Sequence, residues 1–280
     1  MEMKAYIFPG QGSQSQGMGG ELFDEFDFYT RMADDILGYS IKELCLNDPE
    51  RQLNNTLYTQ PALFTVNTLC YLKAIQDDPA PAACLAGHSL GEYNALLAAG
   101  AFGFDDGLRI VHKRAQLMSS ASGGGMAAVI NCDIDRLRAC LNQGGLDGID
   151  VANYNSDSQI VIAGLQPDLA AAYGLFDEQG IVYVPLKVSA AFHSRQMAPL
   201  KEAFADFLRG IGFSPLQVPV LSNVDGGFYS DSNLVERLSA QLCSSVMWRD
   251  SVLNMRATGV TRFKEVGPGD VLTKLVGKIL

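Results

Sequence analysis

Apolar positions fall in short runs separated by glycine, proline and acidic breaks, a pattern of strands alternating with helices. Residues 4–8 form an apolar run closed by Pro9-Gly10-Gln11-Gly12-Ser13, which predicts a strand followed by a polar, Gly-rich stretch to Gly20. Residues 21–37 and 40–46 read as helices. Thr59-Gln60-Pro61 opens a long amphipathic segment over 62–76; proline suits a first helical turn, with Thr59 or Gln60 near the cap. Asp77-Asp78-Pro79-Ala80-Pro81 breaks it. Residues 82–86 then read as a strand and 92–99 as a helix. Asp105-Asp106-Gly107 leads into a helix over 107–121, stopped by Ser122-Gly123-Gly124-Gly125.

The pattern changes at Met126. Strands are predicted over 126–130, 149–154, 159–164 and 181–186, with helices over 133–143 and 167–179. This β-α-β-β-α-β order is that of a ferredoxin-like module. Residues 126–187 are therefore expected to be a small subdomain inserted into a larger one, with the triple glycine as entry hinge. Beyond it come a helix over 195–209, a strand at 218–222, helices near 232–243 and 249–258, a strand at 261–266 and a final helix from Asp270.

Composition narrows the class. A chain of 280 residues with 48% hydrophobic and 19% charged residues fits a globular protein with a large core. No apolar run reaches membrane-spanning length. Residues 1–8 read as an immediate strand and not as a signal peptide. Six cysteines without a Cys-x-x-Cys pair, several inside apolar runs, suit free thiols in a reducing cytoplasm. A net charge of −10 argues against nucleic acid as a partner. Residues 1–110 hold 6 basic against 15 acidic side chains, and residues 187–280 hold 11 against 8. The mildly basic C-terminal third either offers a surface to an acidic partner or is scattered solvated charge.

Gly87-His88-Ser89-Leu90-Gly91, set between an apolar run and a helix-like run, carries the chemistry. A Gly-x-Ser-x-Gly turn from strand to helix lifts the serine hydroxyl above the sheet, beside free N–H groups able to hold an oxyanion. Read blandly, it is only a Gly-rich connection. A serine nucleophile needs a base, and there are three histidines. His88 lies in the turn itself, its side chain expected to point away from Ser89, and His112 lies within a helix. His193, where the small module rejoins the body, is the base by elimination, although a lone histidine is often a satisfied polar residue. No acidic residue stands in an evident triad position, but a backbone carbonyl would also orient the imidazole. Arg114 lies beside the apolar face of the 107–121 helix. It is either a buried partner for a carboxylate or a snorkelling surface arginine, which spacing alone slightly favours. Gly10-Gln11-Gly12 lacks the third glycine of a dinucleotide fingerprint, and no metal-ligand cluster is evident, so neither metal nor cofactor is expected.

Along the chain, Phe8-Pro9-Gly10-Gln11-Gly12-Ser13-Gln14, Thr59-Gln60-Pro61-Ala62, Gly87-His88-Ser89-Leu90-Gly91-Glu92, Gly125-Met126-Ala127-Ala128-Val129, Phe192-His193-Ser194, Ser222-Asn223-Val224 and Glu265-Val266-Gly267-Pro268-Gly269 follow in order. Together they resemble the malonyl-CoA:acyl carrier protein transacylases, over essentially the whole chain. Tyr93-Asn94-Ala95-Leu96-Leu97 and Ser189-Ala190-Ala191-Phe192-His193 look most like the free-standing acyltransferases of trans-acyltransferase polyketide synthases.

The resemblance implies a ping-pong transfer of malonyl from malonyl-CoA to the phosphopantetheine thiol of an acyl carrier protein, for polyketide or fatty acid synthesis. Ser89 would be the nucleophile and His193 the base and acid. The N–H groups of Gln11 and Leu90 would form the oxyanion hole, and Arg114 would clamp the malonyl carboxylate. The carbonyl of Gln241 would orient His193. Phe192, before the histidine, is the position where methylmalonyl-selective relatives often carry serine, so its ring is expected to disfavour an α-methyl branch. The expected fold class is α/β. A discontinuous α/β-hydrolase-like domain (1–125 and 188–280) would carry the ferredoxin-like subdomain (126–187), in a cytoplasmic monomer with no membrane or nucleic-acid partner. Two rivals remain: an acyl hydrolase clearing acyl chains from carrier proteins, and a non-catalytic carrier-docking subunit.

Overall fold

The computed structural model describes residues 3–280; Met1 and Glu2, the start of the first expected strand, lie outside the described residues. Seven strands are present among these: β1 (Met3–Phe8), β2 (Cys84–Gly87), β3 (Gly124–Ile130), β4 (Asp150–Ser156), β5 (Gln159–Leu165), β6 (Val182–Pro185) and β7 (Val260–Glu265). They form two sheets in an α/β architecture.

The first sheet is parallel, in the order β2-β1-β7. The strands β1 and β2 are buried on both faces, as strands covered on both sides require, whereas the edge strand β7 exposes Thr261 and Arg262. Tyr6, Phe8 and Leu85 point into the main core, beneath the helices Thr56–Asp77, Gly91–Ala98 and Phe104–Ser119. Ala5, Ile7, Cys84 and Ala86 point the other way, onto Trp248, Val252, Leu272 and Leu275 of two C-terminal helices. The carboxyl ends of β1 and β2 therefore open side by side, the place where parallel sheets present their sites.

The second sheet is antiparallel, in the order β4-β5-β3-β6, with β3 and β5 paired along their full length. Ala127 and Val129 on one face join a separate apolar cluster with Leu137, Leu169 and Phe176 of the helices Ile134–Gln143 and Gln166–Glu178. Met126 and Ala128, on the alternate face, join the main core. Main-chain bonds from Tyr154 N to Val246 O (2.9 Å) and from Val246 N to Ala152 O (2.8 Å) tie β4 to the body.

Several expected elements shift. The helix expected to open at Pro61 begins at Thr56, where the Asn55 side chain accepts from Leu57 N, so Pro61 lies inside it. The helix is buried from Thr59 to Leu69, and that packing outweighs the one backbone bond the proline ring removes. The 107–121 helix begins earlier, at Phe104. Gly124 and Gly125 pair within β3, which leaves Gly123 at φ +79° as the turning residue of the glycine triplet. The 21–37 segment divides into Leu22–Glu25 and Asp27–Leu37. Over 195–209, a 3-10 segment Arg195–Leu200 holding Pro199 precedes the α-helix Lys201–Arg209. The strand expected at 218–222 is reduced to bridges at Val220 and Leu221, because Pro219 has no N–H to continue a ladder.

Candidate active site

Strand β2 ends at Gly87 and the helix Gly91–Ala98 begins four residues later. The chain reverses so tightly that a Cβ on Gly87 would stand 1.9 Å from the Gly91 carbonyl carbon. Ser89 sits in this elbow at φ +51°, a left-handed conformation that a non-glycine residue adopts only under tertiary restraint. The restraint is Asn223, whose Oδ1 accepts from Ser89 N (2.7 Å) while its Nδ2 donates to Gly87 O (2.7 Å).

His193 is also left-handed, at φ +59°. Its N–H donates to Leu242 O (3.1 Å), and its Nδ1 lies 2.9 Å from Gln241 O. A carbonyl oxygen only accepts, so Nδ1 carries the proton and Nε2 is free to accept. Nε2 lies 2.7 Å from Ser89 Oγ. Burial, with Arg114 beside it, holds the imidazole well below its ordinary range, down to about 3. It is thus neutral at physiological pH, the state in which it takes a proton.

Arg114 is buried, with 1% of its surface exposed, so the snorkelling alternative is overturned. The helix Phe104–Ser119 packs on Thr56–Asp77, and that crossing carries the arginine inward. Its Nη1 donates to Gln60 Oε1 (2.6 Å); its Nη2 donates to Gln241 Oε1 (2.9 Å) and Ser89 Oγ (3.1 Å). The guanidinium carbon stands 5.3 Å from the centre of the Tyr93 ring. A fixed cation therefore touches the serine hydroxyl.

The loop bearing Gln11 lies on the elbow: a Cβ on Gly10 would stand 2.4 Å from His88 O and 3.5 Å from Leu90 N. Among the described residues neither Gln11 N nor Leu90 N has a protein acceptor, while Ser89 N is taken up by Asn223. Asn67 Nδ2 holds the loop through Pro9 O (2.9 Å). His88 turns away from Ser89, its Nε2 2.9 Å from Asn155 Oδ1 of β4, and His112 stands apart near Gln116. Phe192 is buried in the main core beside His193.

Side chains that the sequence reading passed over complete the site. Glu92 is fully buried; one of its oxygens accepts from Asn223 N (2.9 Å) and Tyr229 Oη (2.6 Å), the other from Gln241 Nε2. Burial raises its carboxyl to about 7, against the pull of these donors and of Arg114. Gln241 Nε2 also donates to Ser89 O (2.9 Å). A signal existed for Glu92 and Gln60, since each is a large polar residue in a helix otherwise buried and mostly apolar. For Asn223 the signal was its place in the Ser222-Asn223-Val224 motif; for the side chain of Gln241 there was none.

A neutral imidazole on a serine hydroxyl, an adjacent cation and two unpartnered N–H groups are the parts of an acyl-transfer site. The acyl transferase domain family matches residues 5–279. The chain belongs to this family. Among its acyl transferase relatives is the polyketide biosynthesis malonyl CoA-acyl carrier protein transacylase PksC of Bacillus subtilis (strain 168). The two are 49% identical over 279 residues, covering 99% of this chain and 97% of that protein. The structure of the malonyl CoA-acyl carrier protein transacylase from Burkholderia pseudomallei superposes with a TM-score of 0.96 at 43% identity, covering 100% of this chain and 98% of the other. A malonyl-transacylase solved in complex with its type II PKS acyl-carrier protein gives 0.94 at 34% identity, covering 100% and 93%.

Proposed function

We propose that this acyltransferase moves a malonyl group from malonyl-CoA to the phosphopantetheine thiol of an acyl carrier protein, through an acyl-enzyme on Ser89. The observation that carries the reading is the contact of one hydroxyl with both a neutral imidazole and a buried guanidinium. In the first half-reaction His193 Nε2 takes the Ser89 Oγ proton as Oγ bonds to the thioester carbonyl carbon. The oxyanion is held by the N–H groups of Gln11 and Leu90. The C–S bond then breaks, and the proton on Nε2 passes to the departing coenzyme A sulfur. The second half-reaction runs the same steps in reverse, with the carrier thiol giving its proton to Nε2 and attacking the ester. The Gln241 carbonyl keeps the imidazole in the productive tautomer and stabilises its cationic form.

Arg114 sets the substrate. Once Ser89 is acylated, its contact with Oγ is free to pass to the carboxylate two carbons away, which a guanidinium engages in bidentate fashion. Phe192 limits the space at the α-carbon. The body is read as an α/β-hydrolase-like domain (1–125 and 188–280) and the antiparallel unit (126–187) as a ferredoxin-like subdomain closing the cleft. Its strand order β4-β5-β3-β6 supports that reading. The enzyme is read as a cytoplasmic monomer serving polyketide or fatty acid synthesis. No helix among the described residues is long and apolar enough to cross a membrane.

The buried arginine favours transfer of a malonyl group over hydrolysis of neutral acyl chains, which offer it no anion. The test is to incubate the protein with labelled malonyl-CoA, with and without a phosphopantetheinylated carrier protein, and follow intact masses. Label should move to the carrier. Release as free malonate with the carrier present would favour the hydrolase.

A further inference from the structure

Gln241 touches the base, the cation and the nucleophile's backbone: its main-chain oxygen holds His193, its amide oxygen holds Arg114, and its amide nitrogen holds Ser89 O. Such a side chain works in only one of two amide orientations. Its nitrogen end faces two acceptors, Ser89 O and Glu92 Oε2. Its oxygen end faces a cation. Reversed, it would set an oxygen against a carboxylate and an NH2 group against a guanidinium. We propose that Glu92 is a positioning residue for acyl transfer: by locking the Gln241 amide it fixes the Arg114 guanidinium over Ser89 and so sets the preference for a carboxylate-bearing acyl group. The inference rests on the function proposed above.

Three features support this role over a merely structural one. The first is that each partner of Glu92 donates to it: Asn223 N and Gln241 Nε2 are donors only, and Tyr229 Oη, a hydroxyl able to take either role, donates here. Three donated bonds converge on its two oxygens, a cage that favours the carboxylate against the burial that raises its pKa. Second, among the described residues no carboxylate touches Arg114 directly; Glu92, one amide away, is the buried acid that faces it. Because the guanidinium is held through a neutral amide, it is balanced without being capped by an ion pair, and a substrate anion is still able to engage it. Third, the same carboxylate holds Asn223, whose side chain sets the Ser89 elbow. One buried carboxyl thus supports both the nucleophile's backbone and the substrate-facing cation.

Glu92→Gln is nearly isosteric and creates a donor conflict whichever way the new amide turns. Its NH2 group meets either Gln241 Nε2 or the pair Asn223 N and Tyr229 Oη. Gln241→Ala keeps the carbonyl that holds His193 and removes only the amide that Glu92 locks. In single-turnover acylation by malonyl-CoA and by acetyl-CoA, followed by quenched-flow mass spectrometry, each variant should lower the malonyl-to-acetyl rate ratio roughly tenfold, about what one charge-assisted hydrogen bond contributes. The double variant should show no further fall, since Glu92 acts through Gln241. A folded Glu92→Gln protein, judged by circular dichroism and thermal midpoint, that keeps the wild-type ratio overturns the inference. So do ratio losses that multiply in the double variant. Should Glu92→Gln fail to fold, Gln241→Ala decides alone, and an unchanged ratio overturns the inference. A wild-type protein that takes no malonyl group from malonyl-CoA overturns the proposed function and this inference together; malonylation by the wild type with unmoved ratios in the variants overturns this inference only.

Discussion

The parallel-sheet body and the antiparallel unit are packed from different materials. The antiparallel unit has its own apolar cluster, in which Leu137, Ile160, Ile162, Leu169 and Phe176 are buried. The body buries, beside its apolar clusters, many polar side chains, among them Gln60, Asn67, Glu92, Arg114, His193, Asn223 and Gln241. Burying such groups costs stability unless each is bonded. One network joins Gln60, Arg114, Gln241, Glu92, Asn223 and His193, while Asn67 bonds separately to Pro9 O and Asn94, and Asn67 Oδ1 and Arg114 Nε have no partner among the described residues. Polar burial is concentrated at the carboxyl ends of β1 and β2, where chemistry needs charge without water. The antiparallel unit folds mainly on hydrophobic contacts and contributes a wall, its buried polar side chains being Asn153, Asn155 and Ser156 of β4, of which Asn155 reaches His88.

This contrast is broken most severely at His193. His193→Ala should slow both acylation and transfer to the carrier by about 10²–10⁴-fold, because one imidazole serves both half-reactions. Rapid-quench measurement of each half-reaction checks this; loss in only one points to a second base. In the other region, Phe176→Ala should cost about 3–5 kcal/mol of stability through the cavity it leaves. Denaturant unfolding measures that loss, and acylation per folded molecule should stay near wild type. A fall in the acylation rate constant without a change in stability would erase the distinction between the two regions.

Arg114→Ala should forfeit about 2–5 kcal/mol toward malonyl transfer while gaining relative activity on acetyl-CoA, which carries no carboxylate. Equal losses on both substrates make the arginine structural. A pH dependence sharpens the point. Burial and Arg114 together depress His193, so its basic form persists well below the usual histidine range, and acetylation should lose rate only as pH falls through the lowered value. Removing the Arg114 charge takes away the largest of the causes after burial, so in Arg114→Ala the acid limb should move to higher pH. The smallest effect is expected at Phe192. Phe192→Ser should shift the malonyl-to-methylmalonyl ratio by about 1–3 kcal/mol, read by direct competition.

The elbow was legible because it is local: glycine, serine and glycine with a strand before and a helix after specify a turn within a few residues. His193 was reachable by elimination among three histidines. Arg114 defeats local reading, because its place beside an apolar face does not say which helix will cover it. The carbonyl of Gln241 came only from family resemblance, since every residue has a carbonyl and none is marked in sequence. Glu92, Asn223 and Tyr229 meet across more than 130 residues of chain, and nothing in their local surroundings records the meeting. Pro61 misled for the converse reason: its local preference for a first turn is real, and the packing of a buried helix overrides it.

Ser89 should carry the acyl group in transit. Wild-type protein exposed to labelled malonyl-CoA, digested and mapped by tandem mass spectrometry, should bear one malonyl group on Ser89, discharged when carrier protein is added. Ser89→Ala should take up none. A stable malonyl group on any other residue, or undiminished labelling of Ser89→Ala, would contradict the account.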